Sequence, residues 1–172
     1  MARREEQRAA FEEFVAARRP ALLRTAYLMT GSHADAEDVV QVALVRCVPH
    51  WGRIADRPEP YVRTVLAREV VSRWRGRRWR ETSVEHLPER ALPAEDVDRR
   101  LALRAALGSL APRQRAVVVL RYFDDLTERE TAASLGISVG TVKSQARDAL
   151  ARLRTLVPDL DPVAEPSTLT RD

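Results

Sequence analysis

Residues 126–154, LTERETAASLGISVGTVKSQARDALARLR, constrain the fold more than any other stretch of the chain. Thr127 followed by Glu130 has the spacing of a capping box: the hydroxyl accepts a first-turn N–H and the carboxylate reaches back to the cap. Ala132, Ala133 and Leu135 then give a small apolar face. Gly136 supplies the stop, because glycine enters the left-handed conformation that ends helices without a Cβ clash. Ile137 is a short apolar plug, and Ser138 is a second N-cap from which another helix runs near Val139. Two short helices joined by a glycine turn make a helix-turn-helix, whose second helix is the one that enters a DNA major groove.

The faces of that second helix follow from its period. At about 100° per residue, Val142, Ala146, Ala149, Leu150 and Leu153 gather on one side, which is the core side. The other side carries Gly140, Thr141, Ser144, Arg147, Asp148 and Ala151, with Lys143 and Arg154 on its flank. Small residues let a helix sit close to a groove. An arginine can bond a guanine edge with two donors, and hydroxyls can serve base edges or phosphates. A solvated helical hairpin would show the same charges, but would not need both caps, the turn and the polar face to coincide.

Bulk properties narrow the class. The chain has 172 residues, 45% of them hydrophobic with few aromatics, so it folds as one domain or two small ones with modest cores. A net charge of +4 and a pI near 9.9 fit a nucleic-acid partner. Lysine occurs once, at Lys143, and all other basic residues are arginine, a bias that points to GC-rich coding. Cys47, the single cysteine, lies in an apolar run and reads as a buried thiol. His33, His50 and His86 have no ligand spacing, so neither metal nor cofactor is expected. The charged start MARREEQRAAFEE has no apolar signal region, and no run is long enough to cross a membrane. The expectation is a reduced, cytoplasmic protein without membrane insertion or a small-molecule substrate.

Taken in order, residues 9–30 have helical periodicity through Phe11, Phe14, Val15, Leu22, Leu23, Ala26 and Tyr27, with Pro20 marking a helix start or a kink. Ser32, His33 and Asp35 compete to cap a helix over 34–48, whose Asp35, Glu37 and Asp38 suit the positive end of its dipole. Its body, VVQVALVRCV, is apolar nearly all round and is expected to be deeply packed. Residues 49–60, PHWGRIADRPEP, read as a loop. From residue 61 a further helix carries Val62, Val65, Leu66 and Val70 as a stripe. Around it stand Arg63, Arg68, Arg73, Arg75, Arg77, Arg78 and Arg80, interleaved with Trp74 and Trp79. Close cations with stacking residues suit unstacked nucleic acid; the alternative is a solvated helix end with the tryptophans in the core. Glu85, Glu89, Glu95, Asp96, Asp98, Pro88 and Pro93 mark a linker. Helices follow over 97–108 and from Ala111-Pro112, then the helix-turn-helix. The tail beyond Pro158 is proline-rich and polar. The expected fold is all-α, with two small helical domains at 1–80 and 97–157, an acidic linker at 81–96, and a mobile tail at 158–172.

These residues resemble a known family. Residues 106–154, from ALGSLAPRQRAVVVLRYFDD through the helix-turn-helix, are similar to region 4 of a bacterial sigma-70-type transcription initiation factor. ADAEDVVQVALVRCVPHW resembles region 2.2, and PYVRTVLAREVVSRWRGRRWR resembles regions 2.3 to 2.4. The size and the acidic linker are those of the extracytoplasmic-function (ECF) group, closest to its actinobacterial SigE-like branch. The resemblance implies that the chain binds core RNA polymerase, with domain 2 reading and helping to melt the −10 element. Domain 4 would read the −35 element as duplex and dock on the polymerase flap. It implies clamp-helix contacts from Glu37, Asp38 and Gln41, with Val42 standing where a Glu is usual. It implies −10 contacts from Arg63, Arg68, Arg73, Trp74, Arg75, Arg77 and Arg78, with Arg68 where an Asn is common, and a flipped base held by the 52–60 loop. In region 4 it implies contacts from Lys143, Ser144, Arg147 and Asp148, beside Thr141 on the outer face. Asp148 either accepts from cytosine N4 or pairs with Arg152, and the pair is favoured because a carboxylate near phosphates is unfavourable. A linker of about 16 residues at roughly 3.4 Å each reaches some 50 Å or more, compatible with two elements on one promoter. An anti-sigma protein is a possible further partner.

Two other classes compete. A helix-turn-helix regulator acting without polymerase needs only the C-terminal half and leaves the Arg/Trp segment unexplained. An enzyme needs a clustered set of acids or a nucleophile. The best cluster, Asp35, Glu37 and Asp38, sits better at a helix N-terminus, so no catalytic residue is assigned.

Overall fold

The computed structural model describes residues 2–76 and 94–158, with side chains over 3–75 and 98–158. Arg77, Arg78, most of the expected linker and the tail beyond 158 lie outside the described residues. Every regular element described is helical. The order is α1 (Ala2–Thr30), α2 (His33–Cys47), a 3-10 turn (Val48–His50), α3 (Trp51–Ile54), α4 (Pro58–Gly76), α5 (Ala94–Gly108), α6 (Pro112–Val118), a π-helical turn (Val119–Phe123), α7 (Glu128–Leu135) and α8 (Val139–Leu156).

Local chemistry explains most boundaries. Ser32 wins the competition to cap α2, its Oγ accepting from the Asp35 N–H. Pro20 neither starts nor ends α1. The carbonyl that it leaves without a donor belongs to Ala16, and both residues are exposed, so water can serve that oxygen. The expected loop over 49–60 is instead short helical turns, with Pro58 opening α4 as a first-turn proline. Trp51 is the reason for the compaction: it is buried, with Phe11 edge-on at 4.9 Å and Phe14 at 5.3 Å. Helix α5 begins at Ala94, three residues before the expected start.

Packing radiates from α6. Val117, Val118 and Val119 are each fully buried, and successive residues on a helix point about 100° apart. They enter three different apolar clusters. Val117 meets Ala132, Val142 and Ala146; Val118 meets Leu107, Leu110, Ala149 and Leu153. Val119, with Ala116, Leu120 and Leu126, joins a cluster made otherwise of α1, α2 and α4 residues such as Met29, Val40, Leu66 and Val70. The two halves of the chain are therefore packed against each other, through α1 and α4 on one side and α6 and α7 on the other.

Polar groups tie the same seam. Arg115, 8% exposed, donates to the Met29 carbonyl at 3.2 Å and to the Gly108 carbonyl at 3.0 Å, joining the end of α1 to the end of α5. Cys47 is buried, as expected, and burial pushes its thiol up to about 11. It should stay unreactive to thiol reagents at pH 8 until the protein unfolds.

Leu120→Ala should cost about 2–5 kcal/mol in urea unfolding followed by tryptophan fluorescence, because the cavity opens inside the shared cluster. A loss under about 1 kcal/mol would mean that the halves are not packed together in solution.

Candidate functional site

The helix-turn-helix is built as its residues dictate. Thr127 Oγ1 accepts from the Glu130 N–H at 3.2 Å, and Glu130 Oε2 accepts from the Thr127 N–H at 2.8 Å, a complete capping box. These bonds to Thr127 hold the exposed Glu130 carboxyl below its ordinary range. Gly136 ends α7 in the left-handed conformation at φ 65°. Ser138 caps α8 through the Thr141 N–H at 3.1 Å. The face of α7 differs from the expected one: Thr131, Ala132 and Ser134 are buried, Leu135 is half-buried, and Ala133 is exposed. Val142, Ala146, Ala149 and Leu153 are buried on α8 with Leu150 half-buried, matching the expected core side.

The outer residues of α8 divide by what they touch. Thr141 Oγ1 lies 2.9 Å from Ser138 Oγ, and Ser144 Oγ donates to the Thr141 carbonyl at 3.1 Å, so both hydroxyls are engaged locally. Lys143 and Arg147 project outward, their side chains 63% and 77% exposed. Lys143 Nζ is 3.7 Å from Glu128 on α7. Asp148 pairs with its neighbour Arg147, at 3.1 Å from Nε, and not with Arg152. The guanidinium reaches the carboxylate of the next residue because both point off the same exposed edge. Sequence reading overlooked Arg121, which, with Tyr122, Lys143, Arg147, Leu150 and Arg154, lines an open groove of about 300 Å³ beside α8. Nothing local in the sequence places Arg121 there. The turn does, since Arg121 donates to the Leu126 carbonyl.

On α4 the expected nucleic-acid residues are largely engaged by the protein itself. Arg63 bonds Glu59 at 2.9 Å and lies 3.3 Å from Asp124 Oδ2. Arg68 donates to the Ala133 carbonyl of α7 at 3.2 Å. Arg73 bonds Glu69 at 3.3 Å and lies 3.7 Å from Asp38. Trp74 is half-buried against the core cluster, and Arg75 is exposed. On α2, Glu37, Asp38 and Gln41 are all exposed. Glu37 pairs with Arg19, so the acidic start of α2 is tied to α1. The body of α2 is not wrapped on all sides as expected. Val45 and Val48 are 63% and 52% exposed, and with Gln41, Leu44, Phe11 and Val15 they line an open apolar groove of about 330 Å³. Their hydrophobicity alone suggests burial, and the fold leaves them uncovered.

Asp124 is the other residue that the sequence concealed. It leaves the π-helical turn facing α1, where Thr25 Oγ1 donates to Oδ1 at 2.7 Å. Arg63 Nε approaches Oδ2 as an ion pair without hydrogen-bond alignment. Burial holds its carboxyl above the ordinary aspartate range, opposed by Thr25 and by the charges of Arg63 and Arg24, and assisted by Glu59. Among the described residues, no cluster of His, Cys, Asp and Glu could hold a metal ion, and no helix is long and apolar enough to cross a membrane.

Comparison with known proteins accounts for both halves. Residues 14–80 match the family model for Sigma-70 region 2, and residues 100–153 match the model for Sigma-70, region 4. The chain is 44% identical over 149 residues to the RNA polymerase sigma-E factor of Streptomyces avermitilis, covering 84% of this chain and 83% of that protein. It is 34% identical over 163 residues to the ECF RNA polymerase sigma factor SigL of Mycobacterium tuberculosis, covering 89% of each. Among solved structures, its fold is similar to the sigma factor RpoE of Bartonella quintana in complex with the anti-sigma factor NepR. That match has a TM-score of 0.65 at 23% identity, over 88% of this chain and 98% of that one.

The raised Asp124 carboxyl carries a sign. Between the unfolded value and the raised folded one, the native state binds more protons, so acidification adds stability relative to a variant that cannot titrate. Asp124→Asn should match or exceed the wild type in urea stability at pH 7, and the wild type should gain on it as pH falls towards 4. A wild-type advantage at pH 7 that disappears in acid would show that the Arg63 pairing outweighs burial.

Proposed function

The chain belongs to the ECF group of sigma-70-type RNA polymerase sigma factors, and from that premise we propose how its residues divide the work. It seats on core polymerase through α2, with Gln41, Glu37 and Asp38 meeting the clamp helices and the apolar groove of Val45 and Val48 beside them. It reads the −35 element with Lys143, Ser144, Arg147 and Asp148 on α8, next to Thr141. It meets the −10 element with Arg63, Arg68, Arg73, Trp74, Arg75, Arg77 and Arg78. Helix α7 and the region 4 body dock on the flap. The role is positioning and recognition in the cytoplasm, without a catalytic residue or a cofactor.

The observation that carries this reading is the pairing of two differently built surfaces on one chain. One is a capped helix-turn-helix whose Lys143 and Arg147 stand free of the core. The other is an α2 surface where acids adjoin uncovered valines. A regulator acting without polymerase has no use for the second, and the region 2 match over residues 14–80 leaves that alternative without support. The solved relative bound to NepR is the ground for including an anti-sigma protein among the partners.

Purified chain mixed with core polymerase should co-elute and start transcripts on a matched promoter, where core alone does not. An unbound chain with no promoter-specific product would defeat the reading. Val45→Asp with Val48→Asp should weaken polymerase binding at least about tenfold, since docking would bury an unpaired charge. Arg147→Ala should cost about 1–3 kcal/mol and relax preference at one −35 position; equal loss on all sequences would make it a phosphate contact. Neutralising Arg75, Arg77 and Arg78 should lower the salt dependence of promoter binding by roughly 0.7–0.9 per lost phosphate contact.

A further inference from the structure

We infer that Glu128 is a specificity-determining residue: it holds Lys143 for a base edge and keeps it off the phosphates. The inference rests on the −35 reading of α8 proposed above and deepens it. Lys143 Nζ lies 3.7 Å from Glu128 Oε2, so an acid of the first helix draws a cation of the second across the turn of the helix-turn-helix. The other outward cation, Arg147, is paired with Asp148 on its own helix and takes its position from α8. Lys143 takes its position from α7.

The chemistry of the pair suits a base more than a phosphate. An ammonium carries three donors on a flexible stem. At 3.7 Å the carboxylate orients that charge without taking a hydrogen bond from it, so the donors stay available. Two of them suit O6 and N7 of a guanine. A lysine without this hold would follow the nearest phosphate oxygens, which carry no sequence information. Lys143 is also the single lysine among 29 basic side chains. The planar fork of an arginine is less free to share its charge with Glu128 while turning its donors to a base.

Position gives the second argument. In a helix-turn-helix the first helix crosses the DNA backbone, and the N-terminal part of the second meets the bases. Glu128 is the first residue of α7, and Lys143 lies in the second turn of α8. Glu128 is the one acid, among the described residues, that lines the groove of Arg121, Lys143, Arg147 and Arg154. A carboxylate there repels phosphate at any sequence, which weakens binding to all DNA alike. Its hold on Lys143 counts only where a guanine meets the ammonium. An acid at the start of α7 also suits the helix dipole, but Glu130 already supplies one in the capping box. A role in stability alone would show in unfolding, and a role in reading shows only on DNA.

The test uses holoenzyme made from the full chain and core polymerase. It is offered a promoter fragment selected from a library randomised across the −35 element, and the same fragment with that element scrambled. Glu128→Gln should lower the ratio of affinities for the two about two- to fivefold, the range of one exposed ion pair. Binding to the scrambled fragment should strengthen, and its salt dependence should steepen by roughly 0.9 as Lys143 turns to a phosphate. In a Lys143→Gln background, Glu128→Gln should leave the ratio unchanged. The urea midpoint of the free chain should not move. The inference is overturned if Glu128→Gln leaves the ratio unchanged in the wild-type background, or lowers it equally without Lys143. It is also overturned if the ratio falls only together with the urea midpoint. A wild-type holoenzyme that enriches no −35 sequence from the library would defeat the functional reading itself, and the inference with it.

Discussion

The run from Arg115 to Leu120, at the end of α6 and in the turn after it, is buried on every side, and the other elements take their places from it. A short run of branched side chains, RAVVVL, presents a fully buried residue in each direction. One valine completes the core of the helix-turn-helix, one anchors α5 and the back of α8, and one meets the bundle of α1, α2 and α4. A helical run with no solvent face must be covered by whatever the chain can bring to it. Here that cover comes from both halves of the molecule. The π-helical turn that follows widens the coil and delivers Asp124 to α1, in a class of irregularity that is often found at working parts of proteins.

The charges follow a consistent division. Exposed pairs such as Arg8–Glu12 and Arg147–Asp148 contribute little to stability in water. Those in the seam are different, because Arg115 and Asp124 are withdrawn from solvent and must find partners within the protein. Arg115 satisfies main-chain carbonyls at two helix ends, while Asp124 takes a hydroxyl and a guanidinium from the other half. Such groups act on register more than on net stability. Arg115 ties the end of α1 to the end of α5, and Asp124 ties the turn after α6 to α1 and α4.

Local signals were legible in the sequence, and long-range ones were not. The capping box at Thr127 and Glu130, the left-handed Gly136, the Ser138 cap and the core stripe of α8 are each written within a few residues, and each appears as expected. The resemblance to regions 2 and 4 was legible for the same reason. What escaped depended on partners distant in the chain. Residues 49–60 read as a loop by their proline and glycine, but Trp51 pulls 49–54 into helical turns against Phe11 and Phe14. Val45 and Val48 read as core, and only the placement of α1 leaves them uncovered. Helical spacing offers Asp148 a partner four residues away in Arg152, and its neighbour Arg147 is the one it meets. Nothing about Asp124-Asp125 marks one carboxylate as buried and the other as exposed; the distinction comes from Thr25, ninety-nine residues earlier.

The two halves of the chain share one core, built on the buried run from Arg115 to Leu120. Spin labels at the exposed Ser72 of α4 and Ala151 of α8 report that packing as a distance. Pulsed electron resonance on the free chain should give a single short separation. A long or broadly spread separation would contradict the account.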